Sequence, residues 1–367
     1  MPLTDRLHAA GIRAGLTAIG FAETTPFLQV REAMVRRIES GRSAGMGFTF
    51  TDPTRATTVT DSFPWARSLV VAAHGYLPEA GSPGPARPGT GRVARFATGD
   101  HYAPLIRALG VMEGLLSEGG HRTGVVVDDA RLVDRAAAVR SGVAWWGKST
   151  MALAPGVGPW FLIGSIATDA ELSPSSPMQR SCGECVACIP ACPTGALDEA
   201  GVLDARRCLS HLGQAPGSIP VEFRQAMGDR LYGCDECLTA CPPGSRALEE
   251  ATAERGRIDL VEVLASADRP LRSRFGHFYV PRNQVRHLRR NALVALGNGG
   301  DRGMVGVVAG YVGHPDPLLR LHAAWALGRL GGPLARAALR AAMAAERDPE
   351  VCAELQAAVE AAGGSLD

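Results

Sequence analysis

The chain has 367 residues, 46% hydrophobic and 20% charged, with 38 Lys and Arg set against 37 Asp and Glu for a net charge of +1. Balanced charge excludes a global field drawing the protein to nucleic acid or an anionic membrane, so any polyanion site has to be a local patch. The length allows two or three domains with sizeable cores. The opening Met1-Pro-Leu-Thr-Asp-Arg6 carries no apolar signal core. The longest apolar runs, such as Phe161–Ala167, fall far short of the ~20 residues of a membrane span. A cytoplasmic location without membrane contact is the expectation.

Residues 3–19 place Leu3, Leu7, Ala10 and Leu16 at helical spacing, and Val30–Ile38 reads as a second amphipathic helix. Leu69–Ala73 is a buried strand, and the Pro- and Gly-rich Pro78–Gly91 a surface loop. Helical periodicity returns over Tyr102–Leu116. Gly124–Val127 is a second buried strand, with Asp128 and Asp129 at its end; Leu132–Val139 is a helix, and Gly142–Lys148 turns. Trp160–Ala167 is a third strand. The alternation predicts a layered α/β or α+β domain. It holds neither G-x-G-x-x-G after a strand nor a Walker A sequence, so nothing marks a nicotinamide or nucleotide site. Asp128 is open to two readings. A carboxyl at a strand end, against an apolar wall, can hold its proton and act as a general acid; an Asp there can equally cap the following helix. Asp129 and Asp134 are its rivals, and His101 reads as a surface or core histidine rather than a ligand.

The stretch from Cys182 to Cys241 carries the strongest chemistry. Cys182, Cys185, Cys188 and Cys192-Pro193 give C-x2-C-x2-C-x3-C-P, the run by which bacterial ferredoxins hold a [4Fe–4S] cluster. Cys234, Cys237 and Cys241-Pro242 give C-x2-C-x3-C-P, which lacks one Cys that Cys208 can supply. In two-cluster ferredoxins the fourth Cys of a run serves the other cluster. The expected sets are therefore Cys182, Cys185, Cys188 with Cys241, and Cys192, Cys208 with Cys234 and Cys237. A zinc ribbon needs two separated C-x2-C pairs, and disulfides need an oxidising compartment; neither fits.

Beyond the cysteines, Thr239–Arg257 passes into polar sequence, a reasonable boundary. Arg269, Arg272, Arg274, Arg282, Arg286, Arg289 and Arg290 then follow with no acid between them, interleaved with Phe275, Phe278 and Tyr279. Such a stripe is either a phosphate footprint with a stacking surface or a solvated helical face. Asn291-Ala-Leu-Val-Ala-Leu-Gly297 recurs as His322-Ala-Ala-Trp-Ala-Leu-Gly328, the triplets 31 residues apart, which is HEAT-like. Two helix pairs are too few to stand alone and should stack on a neighbouring domain. Cys352, in a helical run, reads as plain core.

Several blocks together carry a resemblance. They are Val127-Asp128, Asp134-Arg135-Ala136, Ser141-Gly142, Gly147-Lys148, Cys192-Pro-Thr-Gly-Ala-Leu197, Arg207–Ser210, Gly228–Cys237 and Arg290–Gly297. The chain resembles the epoxyqueuosine reductases over most of its length, departing at Gly99–Ala103 and Ala215–Gly217. That family is cobalamin-dependent, holds two [4Fe–4S] clusters and reduces epoxyqueuosine to queuosine at the tRNA wobble position. By this resemblance Asp128 is the proton donor. Arg55, Asp128, Ala152, Ile163, Ser210 and the segment Cys234, Asp235, Glu236, Cys237 line the corrinoid, and Arg286, Arg289 and Arg290 become candidate tRNA contacts. It implies tRNA as substrate and a low-potential electron donor such as flavodoxin or ferredoxin; a monomer is expected. The expected fold is α+β, with a layered cobalamin-binding domain over 1–170, a ferredoxin-like two-cluster domain over 171–250, and an Arg-rich connector with HEAT-like repeats over 251–367. Two other readings are a reductive-dehalogenase-like reductase of a small molecule and a non-catalytic electron-transfer protein.

Overall fold

The computed structural model describes residues 1–77, 82–83, 85–251, 254–255 and 257–363, so part of the Pro78–Gly91 loop and of the polar stretch after the cysteines lies outside the described residues. The chain forms two compact units: Met1–Ser82, Gly99–Arg206 and Asp235–Ala253 in the first, and Pro83–Thr98, Arg207–Cys234 and Glu254–Asp367 in the second.

The first unit is built on a four-stranded sheet of β1 (Ala18–Glu23), β2 (Ser68–Gly75), β3 (Thr123–Val127) and β4 (Phe161–Thr168), in the order β1-β2-β4-β3. Every neighbouring pair is antiparallel, so the alternation of strands and helices does not produce a parallel sheet. The central strands β2 and β4 are buried almost throughout, which is why both read as unbroken apolar runs. Strand β1 is absent from the sequence reading. The helix expected over 3–19 stops at Arg13 (α1, Leu3–Arg13); Gly15 takes φ 95°, and β1 begins at Ala18. Leu16 matches the helical spacing yet is buried beyond the helix.

Helices cover both faces of the sheet. Over one, α2 (Tyr102–Glu118) sets Leu109 so close to β4 that a Cβ on Gly164 would lie 2.6 Å from its Cδ1. Over the other, Ala136, Ala137 and Ala138 of α3 (Asp134–Arg140) pack with Leu69, Val71, Ala73, Val126 and Ala167. Small side chains on α3 bring its backbone close to the strands, and its first turn lies beside the end of β3 in sequence.

The second unit is mainly helical, with one small three-stranded sheet. Its core joins α4 (Arg286–Gly299), α5 (Pro317–Leu330), α6 (Gly332–Ala345) and α7 (Pro349–Gly363) to Leu209, Leu212, Leu231 and Tyr232. The HEAT-like helices thus bury their apolar faces against residues 207–234. The Ala-Leu-Gly repeat has a packing cause: a Cβ on Gly297 would sit 2.8 Å from Ala326 Cα, and one on Gly328 3.0 Å from Ala358 Cα. Gly297 lets α5 approach the backbone of α4, and Gly328 lets α7 approach that of α5.

Candidate active site and cluster centre

Four cysteine side chains of the first unit converge. Cys182, Cys185, Cys188 and Cys241 line one cavity with Gly147, Lys148, Ser149, Leu153 and Pro242. Three come from the tight turns of the first run. The fourth is delivered by the helix Pro242–Glu250, which Pro242 opens immediately after Cys241. That helix is held where it starts: the fully buried Trp160 donates its indole N–H to Gly244 O at 2.9 Å. Gly158, at φ 58°, leaves room for Pro243 O, which a Cβ would meet at 2.7 Å. Lys148 ties the opposite wall, its backbone N–H donating to Cys182 Sγ at 3.4 Å and its Nζ to Gly183 O at 2.6 Å. Sequence reasoning used Lys148 only as part of a motif; its place at the cavity wall was not readable from spacing.

The electrostatics match a shared centre. Burial raises the Cys188 thiol, and the charges of Cys182 and Cys185 push the same way against Lys148. Burial likewise raises Cys241, with Cys182, Cys188 and Cys185 adding to it. Thiolates that destabilise one another in this way need a cation between them. Four cysteine sulfurs around one cavity suit the four-Cys ligation of a cube of iron and sulfide. The residues present fit a [4Fe–4S] cluster.

Burial opposes the Cys192 thiolate, but the N–H groups of Thr194, Leu197 and Ala196 and the Thr194 hydroxyl outweigh it and hold the thiol below its usual value. The Ala196 N–H lies 3.2 Å from the sulfur. Cys237 lies in the short helix Glu236–Thr239 of the first unit; Cys208 precedes the helix Leu209–Gln214 and Cys234 follows the strand Arg230–Tyr232, both in the second. Cys352 is half-buried in α7.

Three carboxyls cluster at the end of β3, and their surroundings separate them. Asp129 is clamped by Arg131, which donates its backbone N–H at 2.8 Å, Nε at 2.9 Å and Nη2 at 2.6 Å. Those hydrogen bonds hold it below the usual carboxylate range, so it stays ionised. Asp128 has no such partner: burial raises it, and the charge on Asp129 adds to the shift. Asp134, opening α3, is raised well above the ordinary value by burial and then by Asp128, and its Oδ1 is buried with no hydrogen-bond partner. Divergent environments for neighbouring carboxyls are how a site separates an acid from a structural anion.

Asp128 caps no helix: α3 starts after Val133 without a side-chain cap. Its φ of 47° is left-handed, which costs an L-residue on the order of 1 kcal/mol and marks a backbone held by its surroundings. The β3–β4 ladder ends at Val127 opposite Gly164, which places Asp128 next in register to Ile163. Ile163 is the one residue of β4 that is not buried, so a partly exposed apolar side chain adjoins the Asp128 position. Arg55 lies in the short helix Pro53–Ala56, bonded to Ser62 Oγ at 3.2 Å, and its charge reaches Asp129. Ala152 pairs with Trp146 in a small hairpin, whose Thr150 O accepts from Arg135 Nη1 at 2.9 Å. Asp235 is buried and its carbonyl accepts from Leu238 and Thr239; Glu236 begins that same turn. Ser210, in the second unit, accepts from Gln214 at 3.2 Å. His101 is core, stacked on Tyr76.

The arginine stripe differs from its sequence reading. Arg290 is fully buried, donating to the carbonyls of Ala215, Gly217, Leu212 and Gly213 and to Asn291 Oδ1. It anchors the loop after Leu209–Gln214 and is no phosphate contact. Arg289 pairs with Asp268 at 2.6 Å and donates to Ser266 O; Arg286 pairs with Asp316 at 3.3 Å. Their acids lie outside the 269–290 window, where the sequence pattern shows none.

Residues 181–244 match the model of a 4Fe–4S double cluster binding domain, and residues 284–360 that of HEAT repeats. The epoxyqueuosine reductase of Bacillus cereus is 30% identical over 358 residues, covering 94% of each chain; that of Bacillus subtilis is 31% identical over 361 residues, covering 94% of this chain and 92% of its own. A crystal structure of an epoxyqueuosine reductase with an epoxyqueuosine-modified tRNA-Tyr stem loop superposes with a TM-score of 0.90 at 30% identity, covering 98% of both chains. A structure of the Bacillus subtilis enzyme with its catalytic Asp loop swung out of the active site gives 0.88 at 29%, with 98% of both covered. With its double-cluster segment, its HEAT repeats and this end-to-end likeness, the chain belongs to the epoxyqueuosine reductase family of oxidoreductases.

Proposed function

We propose that the protein reduces epoxyqueuosine to queuosine at the wobble position of tRNA, with two [4Fe–4S] clusters and cobalamin as its redox groups. The observation that carries this reading is Asp128, a carboxyl with a raised affinity for its proton, on a left-handed residue next in register to the partly exposed Ile163. Relatives matched along almost the whole chain are epoxyqueuosine reductases, one of them solved with a modified tRNA stem loop and another with its catalytic Asp loop displaced. Opening the epoxide to the alkene takes two electrons and two protons and releases the oxygen as water. The bound clusters and cobalamin supply the electrons, and a flavodoxin or ferredoxin is the donor class proposed to replenish them. Cys182, Cys185, Cys188 and Cys241 would hold one cluster; run spacing assigns Cys192, Cys208, Cys234 and Cys237 to the other. Arg55, Ala152 and Ile163 are proposed to line the corrinoid in the first unit, where the half-exposed Ile163 offers the apolar surface such a flat ring needs.

The protein's own chemical step belongs to Asp128, which gives a proton to the departing oxygen. Asp128→Asn keeps the left-handed backbone, which Asn tolerates, and removes only the transferable proton. General acid catalysis supplies about 10²–10⁴-fold, so single turnover of epoxyqueuosine-containing tRNA by prereduced variant should slow by that order. Iron content, cobalamin uptake and tRNA affinity should hold. The sign of the pH effect follows from the raised affinity: the wild-type rate should fall as pH rises and Asp128 loses its proton. Near-normal turnover in Asp128→Asn would remove Asp128 from the chemistry.

A further inference from the structure

Five of the seven arginines between Arg269 and Arg290 are committed within the second unit. Arg272 and Arg289 pair with Asp268, Arg274 with Glu262 and Arg286 with Asp316, while Arg290 is buried. Arg269 and Arg282 are exposed and make no hydrogen bond or ion pair among the described residues. Arg282 also sits in an unusual place. The Asn283 N–H bonds back to Val280 O at 2.8 Å, closing a turn with Pro281 at its second position and Arg282 at its third. Arg282 has φ 51° and Asn283 φ 56°. A third turn position in the left-handed region favours Gly, so a long cation there is held against backbone preference, a pattern that clusters at functional sites.

The turn is also rigidly backed. Phe278 stacks on Tyr232 with centroids 4.2 Å apart and meets Phe275 at 4.9 Å. Tyr232 then donates its hydroxyl to Tyr279 O at 3.0 Å. Phe278 therefore points into the core and the next ring, Tyr279, is 69% exposed. No other Phe, Tyr or Trp among the described residues of this unit is exposed to that degree. A protein interface needs a contiguous apolar patch, which one ring does not make. An exposed planar ring, with a guanidinium that has no partner among the described residues three positions on in the same turn, is what an unstacked nucleobase and its phosphate require.

We propose that the Tyr279–Asn283 turn is a docking point for an unpaired RNA base, Tyr279 stacking on the base and Arg282 meeting the adjoining phosphate. The inference rests on the tRNA reading above and relocates the RNA contact from Arg286, Arg289 and Arg290 to this turn.

The test uses the full chain with its clusters reconstituted and an unmodified tRNA-Tyr anticodon stem loop, followed by fluorescence anisotropy across a salt series. Tyr279→Ala should weaken binding on the order of tenfold and Tyr279→Phe much less, since stacking needs the ring and not the hydroxyl. Arg282→Gly keeps and relaxes the turn, so its thermal midpoint should hold or rise while affinity drops and the salt slope falls by about one. A blunt duplex of the same stem, lacking unpaired bases, should be insensitive to Tyr279→Ala. Wild-type affinity and salt slope in both Tyr279→Ala and Arg282→Gly would overturn the inference alone. So would unchanged RNA binding with slowed reduction by flavodoxin, which would make the turn a protein dock. A wild-type protein that binds no stem loop would overturn the tRNA reading as well.

Discussion

Single carboxyls show how a site is tuned by what surrounds each group. Asp128, Asp129 and Asp134 lie within seven positions of one another, yet Arg131 keeps Asp129 ionised while burial favours the proton on the other two. For Asp134 this makes a stability prediction. Between the ordinary carboxyl value, about 3.9, and the raised folded value, the folded state binds a proton that the unfolded state does not. Stability should then fall as pH rises through that window. Asp134→Asn should flatten this dependence, as read from denaturant midpoints of reconstituted protein at a series of pH values; parallel curves for variant and wild type would mean Asp134 is ionised throughout. The strand run before Asp128 made its position legible in the sequence, although the strand is only partly buried, Val126 alone being fully so. Its left-handed φ and the Arg131 clamp on its neighbour were not, since both depend on how the loop closes. Arg290 failed for the opposite reason: a run of like charges looks solvated until the carbonyls of residues 212–217 arrive from elsewhere in the chain.

Whole elements were easiest to read where burial is one-sided or complete. Strands β2 and β4 and helix α2 stand out because their apolar residues are continuous or periodic. Strand β1 was hidden by Leu16, which extends the helical spacing past the glycine that ends it. The direction of the strands was also hidden, because alternating strands and helices suit parallel and antiparallel sheets alike until pairing is known. In the helical repeat the recurring glycine was visible, and the structure supplies its reason. Gly297 and Gly299 share α4, but a Cβ would strike Ala326 Cα at 2.8 Å from the first and meet nothing within 4 Å from the second. Gly297→Ala should therefore cost about 1–3 kcal/mol of overpacking. Gly299→Ala should be neutral or stabilising by up to about 1 kcal/mol through helix propensity. Equal thermal midpoints for the two variants would detach the repeat from helix packing.

At the scale of the whole chain, the cysteine runs ask which distant residues share a centre. An uncrossed arrangement would keep Cys182, Cys185, Cys188 and Cys192 together, as adjacency in sequence suggests. The structure instead places Cys241 with the first three at one cavity, while Cys192 Sγ accepts hydrogen bonds from its own following turn. Both arrangements predict about eight iron per reconstituted chain, so total iron does not separate them. Paired variants do. Under crossing, Cys241→Ser should abolish the same low-temperature EPR signal as Cys185→Ser and leave about four iron, and Cys192→Ser should abolish the signal lost in Cys208→Ser. Under adjacency, Cys192→Ser would group with Cys185→Ser and Cys241→Ser with Cys208→Ser. The assignment matters for function because a cluster that draws its fourth ligand from Cys241 forms only after the chain has passed through Cys208, Cys234 and Cys237. Cluster insertion and closure of the first unit are then one event. Cys241→Ser should accordingly lower the thermal midpoint of the reconstituted protein, and an equal midpoint in the apo forms of variant and wild type would tie that loss to the cluster.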